Sequence, residues 1–288
     1  MSIFFEKPEG GIKKTFTRRH TREPLRANAN NGSGRKRIGF VGLAAGTGAT
    51  TLCFAAAEYL AVLSESSVTM LELDLRPDAP AGTPYDKVGI DRRFAGRDFF
   101  SLYRLAAEGK PLAGVCNIDG GINWVLRFPG EPGSVPDPTT LHRLVNNVSG
   151  DIVLCDISAP GILNYSGSNK CRDTLKAILA DLDHIVCIFD PLPSRLLASV
   201  PAAEVCRAAA AAGVPVTYII NKFNPGVNVR EVTRFTGLRD YLPFPAIPAE
   251  DVYAAEYACR SLAGELTASL SCPKLFERIT QITPKVRI

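Results

Sequence analysis

The chain has 288 residues, of which 46% are hydrophobic and 22% are charged. These are the proportions of a soluble globular protein with enough residues for a full core, and we expect one domain preceded by a tail. A run of about 18 apolar residues is absent, which excludes a membrane-spanning helix, and the start lacks the apolar stretch of a signal peptide, so we expect a cytoplasmic protein. The formal net charge of +4 is unevenly distributed along the chain. Residues 1–37 hold ten of the 33 Lys and Arg but only three of the 29 Asp and Glu.

Residues 1–35 are rich in Arg, Lys, Asn and Gly and lack sustained apolar periodicity, so we predict a disordered basic tail. Its basic clusters, Arg18-Arg19 and Arg35–Arg37, suit nonspecific contact with DNA or an anionic membrane; the plainer interpretation is a solvated, flexible segment. The folded domain is predicted to span residues 36–288.

Beyond the tail, short apolar runs alternate with helical patterns, which is typical of an α/β fold with a doubly wound, mostly parallel sheet flanked by helices. The predicted strands are Ile38–Leu43, Val68–Leu73, Ile122–Leu126, Ile152–Cys155, Ile185–Phe189, Val216–Ile220 and, less regularly, Phe244–Ile247. Ligands of such sheets bind at the carboxyl ends of the strands, so the residues that follow each run are the candidates for a site.

Helices are predicted between these strands. They are Thr50–Leu63, a helix capped by Asp137 or Thr139 that runs to Val148, Arg172–Leu182, and one within residues 193–212. We expect Pro201 to interrupt or begin the last of these. Near the end, Leu275, Phe276, Ile279 and Ile282 recur before Pro284, and this face suits packing on the sheet better than membrane contact.

The eight cysteines never form a Cys-x-x-Cys pair, and most lie in apolar stretches, as Cys155 and Cys187 do. This pattern predicts buried reduced thiols and argues against a zinc site. The three histidines, His20, His142 and His184, indicate no catalytic or metal role.

The sequence of residues 38–52 predicts a strand, a glycine loop and the start of a helix. This arrangement is typical of phosphate-binding loops. Gly46 and Gly48 allow the backbone to turn with its amides facing inward. Thr50 places a hydroxyl where such loops hold magnesium, although it also suits the first turn of any helix. Ala49 stands where a phosphate-binding lysine is expected, so the loop predicts a nucleotide-binding fold and argues against catalysis.

Polar residues follow three of the predicted strands. Asp74 and Asp156 each come after an apolar run. We favour the interpretation that they belong to a ligand site over the alternative that they only end the strands and face solvent. Asn221 and Lys222 follow Val216–Ile220, where they suit either a site or a turn.

In their order along the chain, these segments resemble the ParA/MinD family of ATPases with a deviant Walker A loop, over roughly residues 36–283. The family loop reads Gly-Lys-Gly-Gly-x-Gly-Lys-Thr-Thr, and residues 43–51 read Leu-Ala-Ala-Gly-Thr-Gly-Ala-Thr-Thr. Leu71–Asp74 resembles the family's second acidic motif, with Glu72 in place of its first aspartate. Ile152–Gly161 resembles the Walker B strand and the loop after it, while Tyr218–Lys222 and Pro243–Leu262 resemble the segments around the base.

The resemblance implies that ATP or ADP binds with Mg2+ in contact with Ala45, Gly46, Thr47, Gly48, Ala49, Thr50 and Thr51. It further implies that Asn221, with Lys222 beside it, contacts the adenine. Thr50 and Asp156 are implied as metal ligands, Asp156 through water, and Asp74 as the residue that orients the attacking water.

Two lysines of the family loop are missing. Ala44 replaces the one that reaches across a nucleotide-sandwich dimer, and Ala49 replaces the one that contacts the β- and γ-phosphates. Losing a charged hydrogen bond of about 1.5–3 kcal/mol weakens nucleotide binding by roughly one to two powers of ten and impairs phosphoryl transfer more. Arg35–Arg37 precede the first strand and lie at the wrong end of the sheet, so Arg76 is our candidate for a substitute cation, with Lys222 and Arg127 at similar edges; Arg76 suits a solvated loop equally.

We therefore expect a degenerate ParA/MinD-like protein, a pseudo-ATPase that organises or positions other molecules through a protein partner, encoded by a neighbouring gene. The alternative is an active switch in which ATP joins two protomers for partitioning, for pilus or secretion positioning, or for placing the division site. A related bacterial tyrosine kinase is a distant third, because the loop lysine and a C-terminal tyrosine cluster are missing. Either main function is compatible with peripheral location at a membrane or nucleoid.

Overall fold

The computed structural model describes residues 34–63, 66–73, 117–119, 122–126, 138–158, 169–238, 240–258 and 272–282. Within them, one eight-stranded sheet carries helices on both faces. Several sequence predictions lie outside the described residues: the tail up to residue 33, Asp74, Arg76, Arg127, Asp137 and the segment 159–161.

The described strands are β1 Lys36–Gly42, β2 Val68–Leu73, β3 Asn117–Asp119, β4 Ile122–Val125, β5 Ile152–Ser158, β6 His184–Phe189, β7 Val216–Phe223 and β8 Leu242–Pro245. Their order is β3-β4-β2-β5-β1-β6-β7-β8, and every pairing is parallel except that of β3 with β4. The predicted fold class is thus confirmed, and β3 is an addition that the sequence did not reveal. Strand β8 begins two residues before the predicted run; its prolines are tolerated because it pairs on one side only, with β7.

The described helices are α1 Ala49–Leu63, α2 Pro138–Asn147, α3 Asn169–Ala180, α4 Pro193–Ala211, α5 Val229–Thr236, α6 Ala249–Tyr257 and α7 Cys272–Thr280. The expectation that Pro201 interrupts or begins a helix is wrong, because α4 continues through it. Proline removes the hydrogen bond to the carbonyl four residues earlier, that of Leu197. Both residues are exposed, so this carbonyl lies on the solvent side of the helix, where water can replace the lost bond.

Two apolar layers hold the helices to the sheet. One packs α1, α6 and α7 against one face, and the other packs α2, α3, α4 and α5 against the opposite face. Phe276 and Ile279 of α7 are fully buried, and the ring of Phe276 stacks on Tyr59 of α1 at 5.2 Å between centroids. The C-terminal apolar face is therefore part of the core, as predicted. Among the described helices, none has the length and apolar character needed to cross a bilayer.

Strand β1 lies between β5 and β6, so the chain leaves its carboxyl end where the strand order changes direction. The basic residues Arg35–Arg37, at the start of β1, lie at the opposite edge, as predicted. There Arg37 holds Asp183 through two bonds of 3.0 Å, from Nε and from Nη2, and Lys36 Nζ donates to the carbonyl of Gln281 at 2.8 Å. These cations stabilise the amino edge of the sheet and are remote from the glycine loop.

Four cysteines within the described residues, Cys53, Cys155, Cys187 and Cys206, are buried and free, which confirms the thiol prediction for them. Burial raises the pKa of Cys155 to about 12. Burial is also the largest cause that raises the pKa of Cys53 and Cys187, so these three thiols are protonated at neutral pH and behave as small apolar side chains.

His184 is the fully buried first residue of β6, and neither ring nitrogen makes a hydrogen bond of normal geometry. Burial, followed by the positive charge of Lys36, lowers the pKa of His184 from 6.5 to about 4. A contact with the backbone of Ile279, whose geometry is too poor for a hydrogen bond, raises the pKa and offsets part of this lowering. The folded protein therefore holds this imidazole in its neutral form.

We predict that His184 makes the protein sensitive to acid. Above about pH 6.5 the ring is neutral in both states; as the pH falls to about 4 only the unfolded chain takes up the proton, so the free energy of unfolding drops by roughly 3 kcal/mol. Denaturant titrations between pH 7 and pH 4 should show this loss in the wild type and a shallower one in His184→Leu. Equal pH profiles for the wild type and His184→Leu would contradict the prediction.

Candidate functional site

The loop between β1 and α1 has the geometry of a phosphate cradle. Its start is tied to the sheet, because the amide of Leu43 donates to the carbonyl of Ile188 at 2.9 Å. The backbone then turns through left-handed conformations at Gly46, with φ of 72°, and Gly48, with φ of 84°, and α1 begins at once. The free amides of the first turn of α1 therefore open toward the loop, together with the positive end of the helix dipole.

Asn221, at the carboxyl end of β7, holds this loop in place. Its side-chain Nδ2 donates to the carbonyl of Thr47 at 2.7 Å, and its Oδ1 accepts from the amide of Lys222 at 2.9 Å. Both Asn221 and Thr47 are buried. A Cβ at Gly48 would lie 2.4 Å from Nδ2 of Asn221, so only glycine fits beside this amide. Asn221 thus has a structural function in the loop, and its contact with a base stays a prediction.

Lys222 brings a positive charge to the loop from outside it. Its Nζ donates to the carbonyl of Gly46 at 2.7 Å and to Oδ2 of Asp190 at 2.9 Å. The side chain of Asp190 is only 2% exposed, and its Oδ1 accepts from the amide of Leu192 at 3.0 Å. Lys222 adopts φ of 55°, a left-handed conformation that costs a non-glycine residue about 1–2 kcal/mol. The backbone conformation of Lys222, its ion pair with Asp190 and its hydrogen bond to the carbonyl of Gly46 together fix the position of the ammonium group.

A cleft of about 680 Å3 opens beside the loop, a size within the range of small-ligand sites. Its walls combine the polar ends of β6 and β7 with apolar residues from the segments around them. The lining residues are Gly46, Gly48, Thr51, Asp190, Pro191, Leu192, Asn221, Lys222, Asn224, Gly226, Val227, Ala246, Ile247 and Val252. The cleft therefore offers an apolar region large enough for a base and a polar end at the glycine loop.

Two carboxylates, from Glu72 on β2 and Asp156 on β5, lie next to each other in the sheet, and neither residue lines the cleft. Glu72 and Asp156 are register partners on neighbouring strands, and both are buried. After burial itself, the charge of Asp156 is the next cause that raises the pKa of the Cys53 thiol, which places this carboxylate against α1. Asp156 is thus close to the helix that begins with the loop, where a Walker B aspartate is expected.

The remaining predicted residues divide by exposure. Ala45 and Gly46 are exposed, Thr50 and Thr51 are partly buried, and Thr51 lines the cleft. Ala44 and Ala49, which stand in place of lysines, are 3% and 8% exposed. Both methyl groups are thus packed into the protein, and neither position places a charge in the site.

The sequence prediction did not include Asp190. The residue directly follows the predicted strand Ile185–Phe189, so the rule that strand ends carry site residues would have found it. Its role as the counter-ion of Lys222 is not visible in sequence, because the two residues lie 32 positions apart.

Solved structures show the same architecture. A ParA family ATPase from Chlorobium tepidum TLS superposes with a TM-score of 0.63 at 13% identity, covering 86% of this chain and 98% of that one. The chain has the ParA/MinD fold. The septum site-determining protein MinD of Pyrococcus horikoshii OT3, complexed with Mg-ADP, gives 0.59 at 17% identity over 86% and 95% of the two chains. The MinC:MinD cell division protein complex of Aquifex aeolicus gives 0.61 at 13% identity over 88% and 98%. No protein-family model matches the chain, and no curated protein matches it.

In this ParA/MinD fold, Gly48 should be the least replaceable residue of the loop. Gly48→Ala places a methyl group against Asn221 and breaks a buried hydrogen bond, in addition to straining a left-handed residue. We expect urea unfolding to show a loss of about 2–4 kcal/mol. Gly237→Ala is the matched control, because Gly237 has a left-handed conformation with φ of 70° and no described residue other than its chain neighbours lies within 4 Å of the position of its Cβ, so it should lose only about 1–2 kcal/mol. Equal losses would show that Asn221 does not constrain the loop.

The ion pair at the cleft should be a coupled unit. Lys222→Met leaves the buried Asp190 carboxylate without its partner and should cost about 1–3 kcal/mol, less than a fully buried pair because Lys222 is 49% exposed. The double variant Asp190→Asn/Lys222→Met should recover much of this loss, as measured by a double-mutant cycle. Lys176→Met, which breaks an exposed pair with Asp173, is the control and should change the stability by less than about 0.5 kcal/mol. Additive effects of Asp190→Asn and Lys222→Met would contradict the coupling.

Proposed function

We propose that this chain is a degenerate nucleotide-binding protein of the ParA/MinD type, which acts through a protein partner and hydrolyses ATP weakly or not at all. The observation that carries the proposal is a loop that keeps Gly46 and Gly48 in left-handed conformations but has no lysine of its own. The left-handed glycines, the start of α1 and the adjoining cleft are in place, whereas Ala44 and Ala49 are buried methyl groups.

The residues present fit a nucleotide with magnesium. The cradle leaves room where a Cβ would obstruct it, and the cleft leads from the loop into apolar surroundings. Bound Mg2+ neutralises phosphate charge, and Thr50 and Asp156 are the residues that would hold it. Among the described residues, no cluster of three or more His, Cys, Asp and Glu could hold a metal without the nucleotide. The metal is therefore proposed to enter with the phosphates.

Weak turnover follows from the charges around the cradle. A loop lysine opposes the charge that develops on the transferred phosphoryl group. Lys222 reaches the loop, but Asp190 offsets its charge at 2.9 Å. Asp74 remains our proposal for the residue that orients water in any residual reaction.

Partner binding is proposed from the neighbours in structure. The Aquifex MinD superposes in a complex with MinC, so one face of this fold is suited to a protein partner. For this chain we propose a partner encoded by a neighbouring gene, a homodimer as the binding unit, and the basic N-terminal segment as a nonspecific contact for DNA or anionic membrane. The cell interior, at a membrane or nucleoid surface, is the proposed location.

The second candidate is an active ATP-dependent dimerisation switch. The observation in its favour is that the ammonium of Lys222 lies 2.7 Å from the carbonyl of Gly46, so that this alternative needs a part of its charge that Asp190 does not offset. In that case Lys222 would compensate for Ala49 in part.

Calorimetric titration with ATP and ADP, with and without Mg2+, followed by size-exclusion chromatography, tests the proposal. We expect weak, magnesium-assisted binding of both nucleotides and no phosphate release. Tight ATP binding with dimerisation would favour the switch instead. Absence of binding at millimolar nucleotide would refute the nucleotide-binding part and leave a scaffold.

The same assay on a lysine-restored loop locates the defect. Ala49→Lys should raise the affinity for ATP by roughly one to two powers of ten, because it adds one charged hydrogen bond to phosphate. Hydrolysis that appears in Ala44→Lys/Ala49→Lys would show that the rest of the site is intact. Ala45→Lys adds the same charge at an exposed position of the loop and is the control, with little gain expected. Equal gains in Ala45→Lys and Ala49→Lys would indicate a general charge effect.

A further inference from the structure

Two positive side chains approach Gly46 from outside the loop. The first is Lys222, but its charge is required by the buried carboxylate of Asp190, which would be costly to leave unpaired. Two of its three ammonium hydrogens are also used, by Asp190 and by the carbonyl of Gly46. Lys222 therefore has little capacity left for an anionic ligand.

The second is Arg195. Its Nη2 lies 3.9 Å from the position that a Cβ on Gly46 would occupy, and among the described residues, apart from the chain neighbours of Gly46, no other heavy atom lies within 4 Å of that position. Arg195 is exposed, and among the described residues no carboxylate or carbonyl pairs with its guanidinium. The backbone of its turn is fixed, since the amide of Arg195 donates to the carbonyl of Leu192 at 2.9 Å. Within the part of the chain that the structure describes, Arg195 is thus a cation without a partner beside the exposed Gly46.

The position of Arg195 in its helix is unfavourable without an anion. Helix α4 begins at Pro193, Leu192 gives it no side-chain cap, and its first turn contains no acidic residue. A positive charge three residues into a helix opposes the positive end of the helix dipole, where Asp or Glu would stabilise it. An anion bound between Arg195 and the glycine loop would compensate both the charge of the guanidinium and the positive end of the helix dipole. Local rules of this kind are broken most often at functional positions.

We propose that Arg195, which lies beside Gly46 and outside the set of residues that line the cleft, binds the phosphates of a nucleotide held at the glycine loop and thereby replaces the missing loop lysine. This inference rests on the proposed nucleotide-binding function and adds the residue that recognises the charge of the ligand. The planar guanidinium can donate two parallel hydrogen bonds to one phosphate, which an ammonium cannot. Gly46 assists because it lacks the side chain that would separate the guanidinium from the loop.

Calorimetric titration with Mg-ATP and with adenosine separates recognition of the phosphates from that of the base. Arg195→Ala should weaken Mg-ATP binding about 5–20-fold and leave adenosine binding unchanged, and Arg195→Lys should fall between. Arg230→Ala, which removes an exposed arginine from α5, is the matched control and should bind both ligands as the wild type does. Without ligand, Arg195→Ala should also raise Tm by about 1–3 °C, since the unfavourable charge in α4 is gone.

The outcomes distinguish this inference from the function on which it rests. If the wild type binds no Mg-ATP, both are overturned. If the wild type binds Mg-ATP and Arg195→Ala binds it equally well, the inference alone is overturned. A variant with lower Tm and equal losses for Mg-ATP and adenosine would identify Arg195 as a structural residue and also overturn the inference.

Discussion

The site depends on a pair of contacts between the end of β7 and the glycine loop. Lys222 and Asn221, which are adjacent in sequence, bind the carbonyls of Gly46 and Thr47, which are adjacent in the loop, each at 2.7 Å. In a planar trans peptide the N–H points away from the C=O. Fixing these two carbonyls toward β7 therefore turns the amides of Thr47 and Gly48 to the other side. The phosphate cradle is thus oriented by side chains outside the loop.

The charges of the site follow from the same arrangement. A lysine that binds a loop carbonyl beside a buried carboxylate is a structural cation, because Asp190 requires it whether or not a ligand is bound. The loop itself contributes two buried methyl groups at Ala44 and Ala49. Among the described residues, positive charge for a ligand is left to the helix ends and to Arg195. The proposed loss of turnover is consistent with this arrangement, because few described charges could oppose the charge that develops during phosphoryl transfer.

Most of the fold was predictable because the central strands are buried on both faces and therefore appear as continuous apolar runs, as in Val68–Leu73 and Ile185–Phe189. Strand β3 was not, since Asn117-Ile118-Asp119 has no apolar run and pairs only at the sheet edge. The prediction for Pro201 was wrong because the rule that proline ends a helix assumes that water cannot replace the lost backbone hydrogen bond, here the bond to the carbonyl of Leu197. In the site, the glycines and strand-end residues were predictable from local pattern. The partners Asp190 and Arg195 depend on contacts between distant segments, which no local pattern contains.

The persistence of the cradle does not by itself indicate turnover. Asn221 and Thr47 are buried and hydrogen-bonded, and Gly48 is required by the amide beside it, so the loop keeps its form for reasons of stability alone. A chain whose loop had lost the side chains that bind phosphate, because its function no longer required them, would be expected to keep the same loop conformation. The proposed ligand binding is supported instead by a feature that lowers stability: Arg195, which pairs with no described residue, at the positive end of α4. Its guanidinium lies beside Gly46, and a bound anion is the simplest physical reason for a positive charge at this place.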